Sequence, residues 1–183
     1  MAELSKKLIF KVLVAGDGGV GKTTLLYKYV KNIFLADTTM TIGVQLHVKT
    51  IILEGIECTL QIWDLGGQDR FRFILENYVH GAHGALLLFD LTRLPTTFDL
   101  DSSWLPIVRK ENPNLPVILV GTKKDLAGSS YDYIDRKIPD QLVTDLGLQG
   151  MIEVSAKTGE NVEEAFELIL RAMIAVCNDC PIS

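Results

Sequence analysis

The sequence predicts an α/β protein: a three-layer α/β/α sandwich with a mostly parallel six-stranded sheet and one antiparallel hairpin strand. Strand-like and helix-like segments alternate along the 183 residues, which favours this class. Four of the six strand-like runs are almost continuously apolar, as in strands covered on both faces. The two mixed runs are separated only by the segment EGIE, which is typical of a hairpin. We interpret residues 1–183 as a single domain with a short tail from about residue 177.

The strand-like runs are short, apolar or β-branched, and bounded by turn residues or helical segments. They cover residues 8–16, 46–53, 58–65, 84–91, 116–122 and 150–156. The helical segments lie between them, at residues 21–32, 70–79, 102–111, 139–147 and 161–177. The last segment places apolar residues at three- and four-residue steps, which predicts one buried face. Ligands of such sheets bind at the carboxyl ends of the strands, so the motifs that follow the strands are the candidates for a functional site.

Composition and charge exclude several classes of protein. The formal net charge is −5 and no long basic run occurs, which argues against nucleic acid as a partner. Three cysteines are too few for a disulfide framework and favour a reducing compartment. The N-terminus lacks a signal peptide pattern, and the apolar runs are too short to span a membrane. We therefore expect a cytoplasmic protein.

The segment GDGGVGKTT, residues 16–24, follows the first strand and begins the first helix. It matches the phosphate-loop pattern, in which glycines let backbone N–H groups approach an anion and the helix N-terminus adds positive charge. Lys22 would reach the outer phosphates, and the Thr23 hydroxyl would bind Mg²⁺, which prefers oxygen ligands. The alternative is a glycine-rich turn with a surface lysine. The residues assigned to the nucleotide here are Gly18, Gly19, Val20, Gly21, Lys22, Thr23 and Thr24.

Two further loops predict which base is bound. In GTKKDL, Asp125 would accept hydrogen bonds from N1–H and the exocyclic amine of guanine, and Lys123 would lie along the base plane. TKKD alone also fits a solvated loop. The segment SAK follows the next strand, where the Ala156 N–H would meet guanine O6 and Lys157 would stack behind. The residues assigned to the base are Thr122, Lys123, Asp125, Ser155, Ala156 and Lys157.

These motifs, together with TIG at residues 41–43 and WDLGGQ at residues 63–68, resemble those of the Ras superfamily of small GTPases. The resemblance extends from Lys6 to about Val176, and the five motifs occur in the family's order. TIGV and RFR are similar to Rab proteins. The Gly-Gly pair of WDLGGQ resembles Arf-type proteins, and Gly66 in place of the usual alanine predicts a more flexible loop. Thr122 stands where most members have asparagine, as in Rho-type proteins.

The resemblance implies further residue roles. Phe34 would pack against the base, although a core aromatic is an equal alternative. Thr41 would bind Mg²⁺ through its hydroxyl and the γ-phosphate through its N–H, and Asp64 would hold Mg²⁺ through a water molecule. The Gly67 N–H would meet the γ-phosphate, and Gln68 would orient the attacking water. The implied catalytic residues are Gln68, Lys22 and Thr41.

The resemblance also implies a molecular switch that binds GTP and GDP with Mg²⁺ and hydrolyses GTP slowly, in membrane trafficking or signalling. Its partners would be effectors, exchange factors and GTPase-activating proteins. These partners would contact an apolar cluster formed by Phe71, Phe73, Ile74 and Tyr78. The alternative for these residues is packing against the sheet, and we prefer it for Ile74. We expect Arg70 and Arg72 to point away from the phosphates, so that an activating partner supplies an arginine. The rival functions are an ATP-using phosphate-loop enzyme and a nucleotide-binding scaffold without turnover.

The tail, CNDCPIS, is open to three interpretations. Cys180 and the three residues after it fit a prenylation signal, which would give peripheral membrane association. The chain alternatively ends here without modification. Cys177 and Cys180 also have the spacing of half a metal site, but the sequence lacks a second such pair.

Overall fold

The computed structural model describes residues 7–37, 39–68, 72–127 and 134–178, and its strands form one six-stranded sheet in the order β2-β3-β1-β4-β5-β6. β2 pairs antiparallel with β3, and the other pairings are parallel. The predicted sheet is therefore confirmed. The strands are β1 (Lys7–Gly16), β2 (Val44–Leu53), β3 (Ile56–Leu65), β4 (Gly84–Asp90), β5 (Val117–Thr122) and β6 (Gly150–Glu153).

The strands differ in burial as their composition predicts. Every residue of β4 and β5 is buried, because both faces of these central strands are covered. β2 lies at the edge, and of its residues only Leu53 is buried. Leu53 pairs with Ile56 across a two-residue turn, so the hairpin is tighter than the sequence pattern indicates.

Helices cover both faces of the sheet, which confirms the three layers. α1 (Lys22–Lys31) and α5 (Val162–Asn178) lie on one face, where the Tyr29 and Phe166 rings stack at 3.7 Å. The opposite core includes Leu75, Trp104 and Val143. The helices on that second face are α2 (Arg72–Leu75), α3 (Leu105–Val108) and α4 (Lys137–Asp145).

The helices α2 and α3 are shorter than predicted. α2 ends at Leu75, and the chain continues in a tight turn in which the Tyr78 N–H donates to the Leu75 carbonyl at 2.9 Å. Before α3 the chain forms a π-helical turn over Leu100–Trp104, closed by the Leu105 N–H on the Leu100 carbonyl. Pro106 has no N–H for the α-helical ladder, which accounts for a wider turn at this point.

The topology brings the predicted motifs to one edge of the sheet. The carboxyl ends of β1, β3, β4 and β5 are Gly16, Leu65, Asp90 and Thr122. Because these strands are parallel neighbours, the loops that follow them converge. The phosphate loop, the WDLGGQ segment and the TKKD loop therefore meet at this edge.

Candidate functional site

The phosphate loop connects β1 to α1 in a conformation that glycine permits. Gly21 has φ +100° immediately before the helix, a backbone conformation that side chains with a Cβ rarely adopt. At the start of the loop, a Cβ on Gly16 would lie 2.3 Å from the carbonyl oxygen of Leu88 on β4. The loop is thus fixed against the central strand.

Lys22 begins α1 and curls back over the loop. Its Nζ donates to the carbonyl oxygens of Gly16 at 2.7 Å and Asp17 at 2.8 Å, and only 6% of the residue is exposed. Burial lowers the pKa of Lys22 to about 8, against the opposing effect of Asp64 and Asp17. An anion bound beside this ammonium group would stabilise its charged form.

Thr23, Thr41 and Asp64 come together although they lie on three separate segments. The Thr23 hydroxyl donates to Asp64 Oδ2 at 2.6 Å. The Thr41 hydroxyl oxygen lies 2.6 Å from the Thr23 hydroxyl oxygen. Asp64 is fully buried, and its Oδ1 has no hydrogen-bond partner within the described ranges. Burial raises the pKa of Asp64, although the Thr23 hydrogen bond and the Lys22 charge oppose the shift.

This cluster fits a hard divalent cation. Two hydroxyl groups and a carboxylate provide the oxygen ligands that Mg²⁺ prefers. Asp64 Oδ1 is a buried anionic oxygen without a partner among the described residues, and leaving such an atom unsatisfied is costly. A cation or a water molecule bound to that cation would remove this cost.

A cleft opens above the cluster, between the phosphate loop and the segment before β2. Gly67 closes one side of it, and a Cβ on Gly67 would lie 2.5 Å from Gly18 N and 2.6 Å from Lys22 Nζ. The cleft is lined by Gly18, Gly19, Gly21, Lys22, Thr23, Thr24, Thr39, Met40, Thr41 and Gly67.

A second cleft adjoins the first and shares Gly19, Gly21 and Thr24 with it. Phe34, Leu35 and Ala36 form one wall, and the TKKD and SAK loops form the other. Phe34 is 41% exposed, so it is a cleft residue rather than a core aromatic. The residues of the second wall are Thr122, Lys123, Asp125, Val154, Ala156 and Lys157.

Hydrogen bonds hold the walls of the second cleft in place. The Ser155 hydroxyl donates to Asp125 Oδ1 at 2.6 Å, which joins the SAK and TKKD loops. The Thr122 hydroxyl donates to the Val20 carbonyl oxygen at 2.6 Å, and Lys123 Nζ donates to the Gly19 carbonyl oxygen at 3.1 Å. The loops of this cleft are therefore tied to the phosphate loop.

Another network holds the phosphate loop from the side of α2 and α3. Asp17 Oδ1 accepts hydrogen bonds from Trp104 Nε1 at 2.7 Å and from Arg72 Nη2 at 3.1 Å. Arg72 Nη2 also donates to Asp99 Oδ2 at 3.0 Å, and its guanidinium lies 4.8 Å from the Trp104 ring centroid. Arg72 is not among the residues that line either cleft, but, in addition to burial, its charge contributes to the lowered pKa of Lys22. Arg70 lies outside the described residues.

The structure brings most of the predicted site residues to these two clefts. Val20 is fully buried beneath the loop, Ser155 is buried behind Asp125, and Gln68 is half-buried directly after Gly67. Sequence reasoning assigned no role to Asp17 or Asp90. Asp90 is the last residue of β4, and Asp64 is the last but one of β3. An aspartate at the carboxyl end of an apolar strand is visible in the sequence and could have indicated a role for Asp90.

The fold and the phosphate loop define a class of α/β nucleotide-binding proteins. Residues 11–175 match the Ras family. Among curated proteins, the chain is 37% identical to "Ras-related protein Rab-1" of Theileria parva, over 90% of this chain and 74% of that protein. It is 38% identical to "Ras-related protein RABA2a" of Arabidopsis thaliana, over 96% of this chain and 79% of that protein. It is also 38% identical to "Probable Ras-related protein Rab-4A" of Echinococcus multilocularis, over 91% of this chain and 74% of that protein.

The chain belongs to the Ras family. It is a Rab-like small GTPase, and this confirms the resemblance drawn from the five motifs. As a member of this family it acts as a switch that binds GTP and GDP and hydrolyses GTP. Membership of this family favours the GTPase switch over the two rival functions, an ATP-using enzyme and a scaffold without turnover.

Proposed function

We propose that this GTPase is a Mg²⁺-dependent switch in membrane trafficking, and that its two clefts hold the phosphates and the guanine base. In the first cleft the backbone N–H groups of residues 18–21 and the Lys22 ammonium would bind the phosphates, with Thr24 at the junction. The observation that carries the proposal is the 2.6 Å contact of the Thr23 hydroxyl with both Thr41 and Asp64. It joins the phosphate loop to the segment that would report the nucleotide state.

Thr23 and Thr41 would hold Mg²⁺ directly, and Asp64 would hold it through a water molecule. When bound, Mg²⁺ neutralises charge on the β- and γ-phosphates. Asp64 Oδ1, which is buried and has no hydrogen-bond partner in the described part of the chain, supports this assignment, as do the hard oxygen atoms around it. Thr41 and the Gly67 N–H, which both line the first cleft, would meet the γ-phosphate.

The second cleft would select guanine. Asp125 would accept hydrogen bonds from N1–H and the exocyclic amine, and the Ala156 N–H would donate to O6. Adenine has neither the two donors for Asp125 nor the carbonyl oxygen for the Ala156 N–H. A site that depends on these hydrogen bonds discriminates strongly between guanine and adenine nucleotides. The Ser155–Asp125 hydrogen bond supports this assignment because it orients the carboxylate. Phe34, Lys123 and Lys157 would enclose the base.

Hydrolysis would depend on Gln68 and Lys22. The carboxamide of Gln68 would accept a hydrogen bond from the attacking water and donate one to the transition state. Lys22 would stabilise the negative charge that develops on the phosphates. Arg72 and Arg93, the arginines described nearest the phosphate loop, are both engaged with carboxylates. A slow intrinsic rate and an arginine donated by an activating protein are therefore expected.

The switch would work because two segments share one ligand. Thr41 and Gly67 both line the first cleft, so loss of the γ-phosphate would release both. Exposed apolar side chains lie next to these segments: Ile42 is 70% exposed and Phe73 is 72% exposed. Effectors would contact them in the GTP state, and exchange factors and activating proteins would act on the same segments. Phe71 lies outside the described residues.

Membrane attachment would be peripheral. Within the described ranges, no helix has the length and apolar character needed to cross a bilayer. Cys177 near the end of α5 is exposed, and Cys180 lies outside the described residues. We propose that the protein resides in the cytoplasm and that lipidation of Cys180 carries it to membranes.

A pair of substitutions at Thr23 tests the proposal. Thr23→Asn removes the hydroxyl ligand, whereas Thr23→Ser keeps it and serves as the matched control. We expect Thr23→Asn to weaken GTP binding by at least about tenfold at millimolar Mg²⁺, since even indirect partners of metal ligands contribute that much. GDP binding should fall less, and Thr23→Ser should remain near the wild type. Equal GTP affinity in all three proteins would overturn the metal assignment.

A further inference from the structure

Asp90 is a buried carboxylate that lines neither cleft. It ends β4 and is fully buried. Its Oδ1 accepts hydrogen bonds from the Thr92 N–H at 2.9 Å and the Thr92 hydroxyl at 2.7 Å. Its Oδ2 accepts from Arg93 Nε at 2.9 Å and contacts Lys123 Nζ at 2.7 Å. Burial alone would raise the pKa of Asp90, but the Lys123 and Thr92 hydrogen bonds outweigh it and lower that pKa.

The two cations that contact Asp90, Arg93 and Lys123, also donate hydrogen bonds to backbone carbonyl groups of the phosphate loop. Arg93 Nη2 donates to the Gly18 carbonyl oxygen at 3.2 Å. Lys123 Nζ donates to the next carbonyl oxygen, that of Gly19, at 3.1 Å. One buried carboxylate thus anchors two cations that hold two consecutive carbonyl groups.

The position of these carbonyl groups fixes the direction of the N–H groups opposite them. In a planar trans peptide the C=O and the following N–H point in opposite directions. The Gly18 carbonyl held by Arg93 therefore directs the Gly19 N–H away from Arg93, and the Gly19 carbonyl held by Lys123 directs the Val20 N–H away from Lys123. These N–H groups are among those that would bind phosphate in the proposed function.

We propose that Asp90 and Arg93 are positioning residues for nucleotide binding, which hold the two peptide units of the phosphate loop with their N–H groups directed at the phosphates. This inference rests on the proposed function of the first cleft. The charges support it further, because Arg93 and Lys123 together carry more positive charge than Asp90 balances, which favours an anion bound at this loop.

Arginine suits this role because its guanidinium is a rigid fork. Separate nitrogen atoms of Arg93 contact Asp90 and Gly18, so one side chain spans the carboxylate and the carbonyl group. A lysine has a single nitrogen and lacks that fixed geometry. Arg93→Lys should therefore restore only part of what Arg93→Ala loses.

The test is the dissociation rate of fluorescent N-methylanthraniloyl-GDP from the full chain, chased with excess GDP at millimolar Mg²⁺. We expect Arg93→Ala to release the nucleotide roughly tenfold faster than the wild type, the scale of losing a charge-assisted hydrogen bond. Arg93→Lys should fall between them. The matched control is Arg171→Ala, because Arg171 pairs with Glu54, away from both clefts, and should leave the rate unchanged.

Two further measurements separate positioning from general destabilisation. The IDP release rate should rise by the same factor as the GDP rate, because the defect lies at the phosphates and not at the base. Arg93→Ala leaves the buried Asp90 with one partner fewer, so its unfolding midpoint should lie below that of Arg171→Ala; circular dichroism at the assay temperature should show both variants folded. Asp90→Asn, which frees both cations, should release GDP faster than Arg93→Ala.

The outcomes distinguish this inference from the proposed function. If the wild type does not retain GDP, the proposed function itself fails. If the wild type retains GDP and Arg93→Ala releases it at the rate of Arg171→Ala, the positioning role is wrong. A smaller increase in the release rate for IDP than for GDP would also overturn it, since the defect would then lie at the base and not at the phosphates.

Discussion

The N–H of Gly66 donates to the carbonyl oxygen of Gly43 at 2.8 Å and joins the segment after β3 to the segment before β2. The approach is so close that a Cβ on Gly66 would lie 2.7 Å from the Gly43 oxygen and 2.8 Å from the Thr41 oxygen. Contacts below 3 Å require the backbone to move. The glycine that predicts a flexible loop in the sequence thus also allows the two switch segments to touch.

Replacing Gly66 with alanine should separate these segments. The added Cβ would push away the segment before β2, which includes Thr41. The hydroxyl group of Thr41 would then lose its contact with the Thr23 hydroxyl group. We expect Gly66→Ala to lower GTP affinity by roughly tenfold, the scale of a lost charge-assisted contact, and to change GDP affinity much less. Equilibrium titration with both nucleotides measures this ratio. In a Thr41→Ala background the effect of Gly66→Ala should disappear, and an undiminished effect there would contradict the explanation.

Asp125 should determine the choice of base. Asp125→Asn replaces a carboxylate acceptor with an amide that can also donate. We expect the variant to lose guanine nucleotide affinity by at least about 100-fold and to gain affinity for xanthine nucleotides, which present a carbonyl group in place of the amine. Competition among GDP, XDP and ADP gives the order. Retained GDP preference in the variant would show that Asp125 does not contact the base.

Gln68 should control hydrolysis and not binding. Gln68→Leu keeps the bulk of the side chain but removes the carboxamide that would orient water. We expect unchanged GTP affinity and a hydrolysis rate lower by roughly 100-fold in the presence of an activating protein. Single-turnover assays with and without cell extract measure this. Gln141→Leu makes the same exchange on α4 and should match the wild type. Equal rates for both variants would remove Gln68 from the mechanism.

Lys22 should make nucleotide binding depend on pH. Burial lowers its pKa to about 8 in the free protein, whereas phosphates favour the charged form and raise the pKa in the complex. As pH rises through 8, the free protein loses this proton and must take it up again on binding. GDP affinity of the nucleotide-free protein should therefore fall by roughly fourfold between pH 7 and pH 8.5. Circular dichroism at both pH values controls for unfolding, and a constant affinity would contradict the assignment.

The sequence alone could predict the sheet and the phosphate loop, whose function depends on backbone N–H groups. β4 and β5 are buried on both faces and therefore continuously apolar, and the phosphate loop depends on glycines at fixed spacing. The contacts of Arg93 with Gly18 and of Trp104 with Asp17 could not be predicted. They join residues 75 and 87 positions apart, and no local periodicity or spacing indicates which distant side chains meet. The wide turn at residues 100–104 depends on Pro106, whose effect on helix geometry has no fixed sequence signal.

The Asp17–Trp104 contact has an optical consequence. The chain has two tryptophans. Trp104 is fully buried beside Arg72, with Lys22 Nζ 6.0 Å from its ring centroid, and Trp63 lies against Tyr78. Indole emission responds to nearby charge, so movement of α2 during the nucleotide cycle would change the intrinsic fluorescence. Trp63→Phe would leave Trp104 as the single tryptophan. GTP turnover by the unlabelled protein could then be followed in real time from the wavelength and intensity of the Trp104 emission.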